Sequence, residues 1–444
     1  MRHAGGNNAD ENNQGASRLP GLVLADVVLL SPPYGVLTYA LPPWLPAGAW
    51  DAGMRAAVPL GKGCRAAVIV ALRAEGEGAP PPEGLKRMLW PLEREPLLSP
   101  EYLELARQLG LRQAAPLGRI LGTVLPSPLR TGKARLRFLL DGPGRDMPVS
   151  GMADLDEATL SACASAWMRG DALCLDAVDD PLENETCVLA QDPPWPVRPR
   201  AARQMEVLEY LYSYGAVSRR KLTEDLGAQG AAALALLAGR GLVRISVAED
   251  LPDTAESLAP VPLTASFELT AEQKAALAAL TACLEKGEAS THLVHGVTGS
   301  GKSVVYMALA AACLARGRSV MLLAPEVALA HKLFADAQAH LPGAPVFLYH
   351  GYQPARLRDH TFRAVAKRNR PCLIVGARSA LFLPVADLGA IVMDEEHDAS
   401  FKQDEGLPYQ AKEVAWYRAV CEKTLLVLGS ATPDVKTYHA AKSG

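Results

Sequence analysis

The segment that most limits how this chain can fold is His295–Tyr306, which reads HGVTGSGKSVVY. It matches the pattern G-x-x-x-x-G-K-[ST] between Gly296 and Ser303, and an apolar run precedes it. Such a loop wraps phosphate with backbone N–H groups at the start of a helix. Lys302 is predicted to reach the β- and γ-phosphates of ATP, and Ser303 to hold Mg²⁺. The residues predicted to bind the nucleotide here are Gly296, Thr298, Gly299, Ser300, Gly301, Lys302 and Ser303.

An acidic segment, LGAIVMDEEHD, follows a second apolar run. Asp394 is predicted to hold Mg²⁺ together with Ser303, as the acidic residue at this place does in P-loop enzymes. Glu395 is predicted to activate the attacking water as a general base. The alternative is an acidic strand end that only faces solvent.

Two weaker patterns accompany these motifs. The segment LGSATP places the hydroxyls of Ser430 and Thr432 at another strand end, where they can bond toward the acidic cluster. The segment ELTAEQKAAL carries Gln273, whose amide can both donate to and accept from an adenine edge. Thr270 and Gln273 would equally form a helix capping box.

Composition narrows the class of protein. The 444 residues predict two to four domains, and a net charge of −3 excludes coating nucleic acid by bulk charge, so DNA contacts must come from local patches. No apolar run approaches the roughly 20 residues that span a bilayer, and residues 1–19 read as a disordered tail without a signal peptide. The eight cysteines include no CxxC pair, which predicts reduced thiols in a cytoplasmic protein and no zinc site in this chain.

Hydrophobic patterning predicts a multidomain α/β chain. Alternating apolar segments favour a β-rich domain over 20–130, and 131–198 reads as a linker region. Residues 199–255 have the helix and strand spacing of a winged helix, with Arg219, Arg220 and Lys221 starting its second helix; these face DNA or are simply a solvated helix start. Alternating strands and helices over 265–444 predict a parallel, doubly wound sheet.

Together these segments resemble superfamily 2 helicases, and within them the PriA family of primosomal replication-restart helicases. The match rests on GVTGSGKS, APEVAL, YHG, VGARSALFLP, LGAIVMDEEHDASFKQ and LGSATP, and in the front half on TYALP, MRAAVPLGKG and APLGRILGTVLP. The resemblance implies a 3′-DNA-end-binding domain over 20–130, a winged helix and the first RecA-like, ATP-binding helicase lobe.

Residue roles follow from the resemblance, position by position. His397 would couple the ATP site to Ser430 and Thr432, and Gln273 would contact adenine. Single-stranded DNA would stack on Phe401, by the logic of base–aromatic stacking. The remaining residues that it implies contact DNA are Gly61, Lys86, Arg378 and Ser379.

The sequence departs from the family pattern in two respects. Leu37-Thr38 stands where the family has Phe-Asp, which removes the aspartate that caps the terminal 3′-hydroxyl. The chain also ends soon after LGSATP, so the second lobe with its arginine finger and the family's zinc-binding cysteines are expected to be missing. We therefore expect weak ATP binding and poor hydrolysis by this chain alone.

The resemblance implies an ATP- and Mg²⁺-dependent 3′-to-5′ DNA helicase. It would recognise stalled forks and start primosome assembly, with forked and single-stranded DNA, primosome proteins, the replicative helicase loader and single-stranded-DNA-binding protein as partners, and no membrane. The alternative from another class is a scaffold that binds forks without unwinding them. An unrelated P-loop enzyme such as a kinase would leave GSATP and the front domains unexplained.

Overall fold

The computed structural model describes residues 23–74, 84–139, 146–176, 182, 185–198, 201–247, 268–367, 370–404 and 406–443. The predicted tail at 1–19 lies outside these residues. The predicted end of the winged helix, 248–255, lies outside them as well.

The chain begins with an antiparallel sheet of five strands in the order β2-β1-β4-β3-β5. Successive side chains of each strand point to opposite faces of the sheet, and the apolar side chains pack in a buried core. Two helices cover it, the first capped by Ser99, whose hydroxyl accepts from the Tyr102 N–H at 3.2 Å. The elements are β1 Val23–Leu29, β2 Val36–Ala40, β3 Arg55–Leu60, β4 Gly63–Ala74, β5 Trp90–Pro91, α1 Pro100–Arg112 and α2 Leu117–Val124.

The region predicted as a linker contains a second folded unit. A three-stranded sheet in the order β7-β6-β8 is joined by a helix that Asp156 caps. Trp167 on that helix packs against Trp90 of the five-stranded sheet. The two rings are in edge-to-face contact with their centroids 6.0 Å apart, so both units share one core. The elements are β6 Ala134–Phe138, β7 Asp146–Pro148, α3 Glu157–Arg169 and β8 Ala172–Asp176.

The winged-helix unit begins earlier than its predicted start at residue 199. Strand β9 lies in the predicted linker but is the central strand of the order β10-β9-β11. Its long helix is broken at Gly227, whose φ of 67° is non-helical and matches the predicted turn between two helical segments. The elements are β9 Glu185–Leu189, α4 Ala202–Tyr214, β10 Val217–Ser218, α5 Arg219–Gly239 and β11 Val243–Val247.

The last part of the chain forms a six-stranded sheet in the order β12-β19-β16-β13-β15-β14, with every pair parallel. A small hairpin, β17 paired with β18, precedes the last strand. The strands are β12 Ser290–His295, β13 Ser319–Leu323, β14 Val346–Tyr349, β15 Leu373–Gly376, β16 Leu388–Met393, β17 Lys402–Gln403, β18 Tyr409–Gln410 and β19 Leu425–Ser430. The helices are α6 Ala271–Lys286, α7 Lys302–Ala315, α8 Val327–His340, α9 Ala355–Ala366, α10 Ala411–Cys421 and α11 Val435–Ser443.

The parallel sheet is buried on both faces, which explains its continuous apolar strands. In β13, Val320 and Leu322 belong to the core formed with α6, α7 and α8, whereas Met321 and Leu323 belong to the core that continues into the N-terminal sheet. The predicted fold class is therefore confirmed: an α/β chain with a β-rich front part, a winged helix and one parallel, P-loop-bearing sheet.

A buried ionic network joins the front units to the parallel-sheet unit. Arg55 of β3 donates from Nε to Glu93 at 2.8 Å and from Nη2 to Asp176 at 2.8 Å. Arg363 of α9 forms ion pairs with the same two carboxylates, at 3.3 Å from Glu93 and in close contact with Asp176. These four residues, here called the interdomain network, connect three parts of the chain that are far apart in sequence.

Candidate functional site

The loop between β12 and α7 has the shape that a phosphate cradle needs. Gly299 and Gly301 adopt φ values of 79° and 77°, which favour glycine because a side chain is strained there. A Cβ at Gly301 would also lie 2.5 Å from Nε2 of Gln273. Glycine therefore lets the backbone turn tightly into the first turn of α7, where the N-terminal N–H groups favour an anion.

Lys302 opens α7 with a largely buried side chain. Its Nζ donates to the Gly296 carbonyl at 3.0 Å and lies 3.6 Å from Oε1 of Glu395. Ser303 follows in the same first turn with intermediate exposure. The structure thus brings the P-loop lysine and the acidic segment to one point, as strand ends of a parallel sheet do.

Asp394 continues β16 and is held by backbone and side chain. Its N–H donates to the Leu323 carbonyl at 2.9 Å, and its carboxylate accepts from the Tyr306 hydroxyl at 3.1 Å. Burial and the neighbouring charge of Glu395 raise the pKa of Asp394. A hard cation would stabilise its charged form, and oxygen donors such as those of Ser303 and Asp394 are the kind that Mg²⁺ takes, so their metal role stays a prediction.

Tyr306 was not singled out from the sequence, yet it shapes this site. Its ring is buried, and burial together with Asp394 raises the pKa of its phenol. The ring passes directly over Gly429, where a Cβ would lie 1.7 Å from the hydroxyl oxygen. The available signal was a tyrosine one helical turn after Lys302 and a glycine at the end of β19, and neither alone predicts their contact.

His397 contacts the two hydroxyl residues that the sequence analysis assigned to coupling. Its Nδ1 lies 2.8 Å from Oγ of Ser430, and its Nε2 lies 3.3 Å from Oγ1 of Thr432. The Thr432 N–H donates to Oγ of Ser430 at 3.0 Å. His397 itself belongs to the acidic segment, so these hydrogen bonds connect that segment to the end of β19, and Nδ1 also lies 3.7 Å from a carboxylate oxygen of Glu395.

Glu396, the second glutamate of DEEH, is a further residue that the sequence analysis did not assign. Its carboxylate is buried and accepts from the ammonium of Lys412, from the Asp434 N–H at 2.8 Å and from the Thr437 hydroxyl at 3.2 Å. It ties the acidic segment to the starts of α10 and α11, which is a structural rather than a chemical role.

Gln273 forms the capping box that was one of its two predicted roles. Its side chain and that of Thr270 form the capping box of α6. Its Nε2 also donates to the Ser300 carbonyl at 3.0 Å, so the amide touches the P-loop directly. The adenine contact itself stays a prediction.

Three residues of the parallel-sheet unit were predicted to contact DNA, namely Arg378, Ser379 and Phe401, and they differ in burial and in hydrogen bonding. Arg378 donates to the Ser400 carbonyl at 2.6 Å and to the Lys402 carbonyl, so it holds the segment before the β17–β18 hairpin. Ser379 Oγ is buried and has no hydrogen-bond partner among the described residues. The stacking role predicted for Phe401 does not fit this structure: its ring is only 2% exposed and packs in the shared core, because the short turn at 399–401 directs it inward.

The front-domain residues lie at turns and edges of the first sheet. Gly61 forms the β3–β4 turn with φ 59°, and Lys86 has an exposed side chain while its carbonyl accepts from the Ala40 N–H at 2.9 Å. Thr38, which stands where the family pattern has an aspartate, donates from its hydroxyl to Oδ1 of Asp26 at 2.6 Å across the strand pair. A carboxylate therefore lies next to Thr38 on the neighbouring strand.

The basic residues that start α5 each pair with an acid of the same unit. The pairs are Arg219 with Glu185 at 2.7 Å, Arg220 with Glu224 at 2.9 Å and Lys221 with Asp225 at 2.7 Å. These contacts fit a solvated helix start and leave a DNA role as a prediction.

Two features are absent from the part of the chain that the structure describes: a metal-binding cluster and a membrane-spanning helix. No cluster of three or more His, Cys, Asp or Glu side chains there is placed to hold a metal ion. No helix in that part of the chain is long and apolar enough to cross a bilayer.

Comparison with known families gives two matches in the order that the sequence analysis predicted. Residues 26–126 match the model of a 3′ DNA-binding domain of PriA, and residues 270–441 match the DEAD/DEAH box helicase model.

Known proteins similar to this chain are replication restart proteins PriA from several bacteria. The Treponema pallidum protein is 39% identical over 188 residues, which is 42% of this chain and 28% of the relative. The Bacillus subtilis protein is 34% identical over 251 residues, 55% of this chain and 30% of the relative. The Synechocystis protein is 28% identical over 443 residues, 91% of this chain and 51% of the relative. The chain thus spans about half, or less, of the length of these relatives.

Proposed function

The chain is a relative of the replication restart protein PriA, as its sequence motifs predicted, and we propose that it serves replication restart as an ATP-dependent DNA helicase. In this proposal it moves 3′ to 5′, recognises stalled forks and starts primosome assembly. The observation that carries it is the pair of hydrogen bonds from His397, which lies 3.7 Å from Glu395, to Ser430 and Thr432. A P-loop enzyme that only transfers phosphate has no need for such a link, whereas a motor must report its nucleotide state to a neighbouring element.

The residues at the P-loop fit ATP and Mg²⁺. The glycine cradle would hold the phosphates, Lys302 would pair with the terminal ones, and Ser303 and Asp394 would hold the metal ion. When bound, Mg²⁺ neutralises the negative charge that gathers on the phosphates. Glu395 would take the proton of the attacking water, since its carboxylate lies at the mouth of the same loop and is less buried than Asp394.

DNA recognition in this proposal is divided between the two ends of the chain. The sheet over 26–126 would hold the 3′ end at a fork near Gly61 and Lys86, with Asp26 supplying a carboxylate beside Thr38. Arg378 would act on DNA through the β17–β18 hairpin that it positions. Primosome proteins, the helicase loader and single-stranded-DNA-binding protein are the proposed protein partners, in the cytoplasm.

The second candidate function is a fork-binding scaffold without unwinding activity. The interdomain network favours it, because it fixes the front sheet to the parallel-sheet unit as one packed body that can present DNA without ATP. The two functions differ in what ATP does after the fork is bound.

The test is equilibrium binding of this chain to a labelled fork with a 3′ end at the branch and to a linear duplex of equal length, followed by strand separation with ATP. We expect fork binding at least about tenfold tighter, with a steep loss of affinity as salt rises because backbone phosphates dominate. The Lys302→Ala variant should bind the fork as the unsubstituted chain does. Equal affinity for fork and duplex would contradict fork recognition, and tight fork binding without ATP-dependent separation would favour the scaffold.

A further inference from the structure

A small cavity of about 190 Å³ lies where the front part of the chain meets the parallel-sheet unit. On one side it is lined by the segment from Thr123 to Arg130, which includes the end of α2. On the other side it is lined by Arg358 of α9, by Ser379 and by the β17–β18 hairpin. This cavity, here called the junction cavity, is separate from the P-loop, because it shares no lining residue with it.

Two residues that line the junction cavity each carry a buried polar atom without a hydrogen-bond partner among the described residues. Nε of Arg358 and Oγ of Ser379 are inaccessible to solvent and make no hydrogen bond within the described residues. Leaving a buried donor unpaired is unfavourable, and more so for a charged group, so such atoms point to a ligand that accepts their hydrogen bonds. Both are donors, and one belongs to a guanidinium, so the missing group is an acceptor with negative charge.

A second guanidinium adds to the positive potential of the cavity. Arg130 donates from Nε to the Leu125 carbonyl at 2.6 Å and from Nη2 to the Thr123 carbonyl at 2.9 Å, which fixes its orientation. Both guanidinium groups act on the phenol of Tyr349, which also lines the cavity. Burial raises the pKa of this phenol, while the positive charges of Arg358 and Arg130 act to lower it. Among the described residues no aspartate or glutamate lines the cavity, and the neighbouring Asp359 is paired with Arg363 at 2.9 Å.

The volume limits the size of the ligand. Pockets for drug-sized molecules measure about 300–1,000 Å³, so 190 Å³ admits a phosphate group with little more attached. We propose that the junction cavity binds one phosphate group through Arg358 and Ser379, with Arg130 as the second positive charge. The phosphate belongs either to the backbone of a single DNA strand or to free inorganic phosphate.

The position of the cavity favours a strand phosphate. Gln403 and Tyr409 of the β17–β18 hairpin line it, and Arg378, adjacent to Ser379, holds the segment that leads into that hairpin. A strand that follows the hairpin would place one phosphate between the front segment and α9. This choice of source rests on the proposed function, whereas the anion site itself does not, because free phosphate would occupy it in a chain that never meets DNA.

The experiment measures two ligands on the whole chain in the absence of ATP. Binding of labelled oligothymidylate is titrated at several salt concentrations, and binding of inorganic phosphate is followed by broadening of its ³¹P resonance. The variant is Arg358→Gln, and the matched control is Arg356→Gln on the same helix, which lines no part of the cavity. Circular dichroism and the melting temperature report whether each variant folds.

For a strand phosphate, Arg358→Gln weakens oligothymidylate binding about tenfold and reduces the slope of log K against log salt by about 0.7, as loss of one phosphate contact to single-stranded DNA requires. For free phosphate, it removes the ³¹P broadening and leaves oligothymidylate binding within about twofold of the unsubstituted chain. Either result supports the site, and Arg356→Gln changes neither quantity. If both ligands bind Arg358→Gln as they bind the unsubstituted chain, the proposal is overturned.

Ser379→Ala keeps the proposal testable if Arg358→Gln does not fold. It removes one hydroxyl from the cavity and no charge, so it should weaken the affected ligand about three- to tenfold, as loss of a hydrogen bond to a charged group does. Unchanged binding of both ligands by a folded Ser379→Ala chain, with Arg358→Gln unfolded, also overturns it. Because no ATP is present, failure of this site is distinguishable from failure of ATP hydrolysis.

Discussion

Replacing Glu395 with glutamine is expected to lower the rate of ATP hydrolysis about 10²–10⁴-fold while leaving ATP affinity within about threefold. The amide keeps the shape of the side chain but cannot accept the proton of the attacking water, and general base catalysis contributes a factor of that size. Affinity should be retained because, in the proposed function, the loop and Lys302 hold the phosphates, and the bond of Lys302 to the Gly296 carbonyl does not involve Glu395.

The measurement is a steady-state hydrolysis assay alongside equilibrium binding of a fluorescent ATP analogue. Glu413→Gln is the matched control, because Glu413 is an exposed glutamate of α10 that pairs with the exposed Arg112 at 3.6 Å. It should change neither quantity by more than about twofold. A rate reduced less than tenfold in Glu395→Gln would remove Glu395 from the role of base.

Replacing Arg363 with methionine is expected to lower the free energy of unfolding by about 3–5 kcal/mol. The side chain lies within the interdomain network, and its removal leaves Asp176 and Glu93 buried, with Arg55 as their remaining cationic partner among the described residues. Breaking a buried pair by removing one partner has this cost because the remaining charge is uncompensated. The effect should appear as a lower denaturation midpoint in urea.

Arg107→Met is the control for this prediction, since Arg107 forms an exposed pair with Glu104 at 3.5 Å within α1. Exposed pairs contribute about 0–1 kcal/mol, so its midpoint should barely move. Because Arg363 joins the front part to the parallel-sheet unit, separate unfolding transitions for the two parts are a second expected sign in Arg363→Met. A loss below about 1 kcal/mol would show that the network does not hold them together.

The nucleotide site could be predicted from the sequence because its parts are local patterns. A glycine-rich loop after an apolar strand requires the backbone angles seen at Gly299 and Gly301. Apolar strands between helices require a parallel sheet, and parallel strands bring the ends of β12, β16 and β19 to one edge. The meeting of Lys302, Asp394, Glu395 and Ser430 follows from those two facts.

The contacts missed from the sequence are all between residues far apart in the chain. Nothing local to Tyr306 indicates Gly429, and nothing local to Arg363 indicates Asp176. Strand β9 pairs with β10 and β11 across the segment that read as a linker. Phe401 was predicted to stack on DNA bases from the resemblance, yet the turn that holds it directs the ring into the core.

The most direct test of the proposed function is the rate of ATP hydrolysis by this chain with and without forked DNA, with Lys302→Ala beside it. The account predicts that the fork raises the rate and that Lys302→Ala, which removes the cation at the P-loop, abolishes both the basal and the stimulated rate. Intact fork binding with no stimulation, or stimulation that survives Lys302→Ala, would contradict the coupling of this ATP site to DNA.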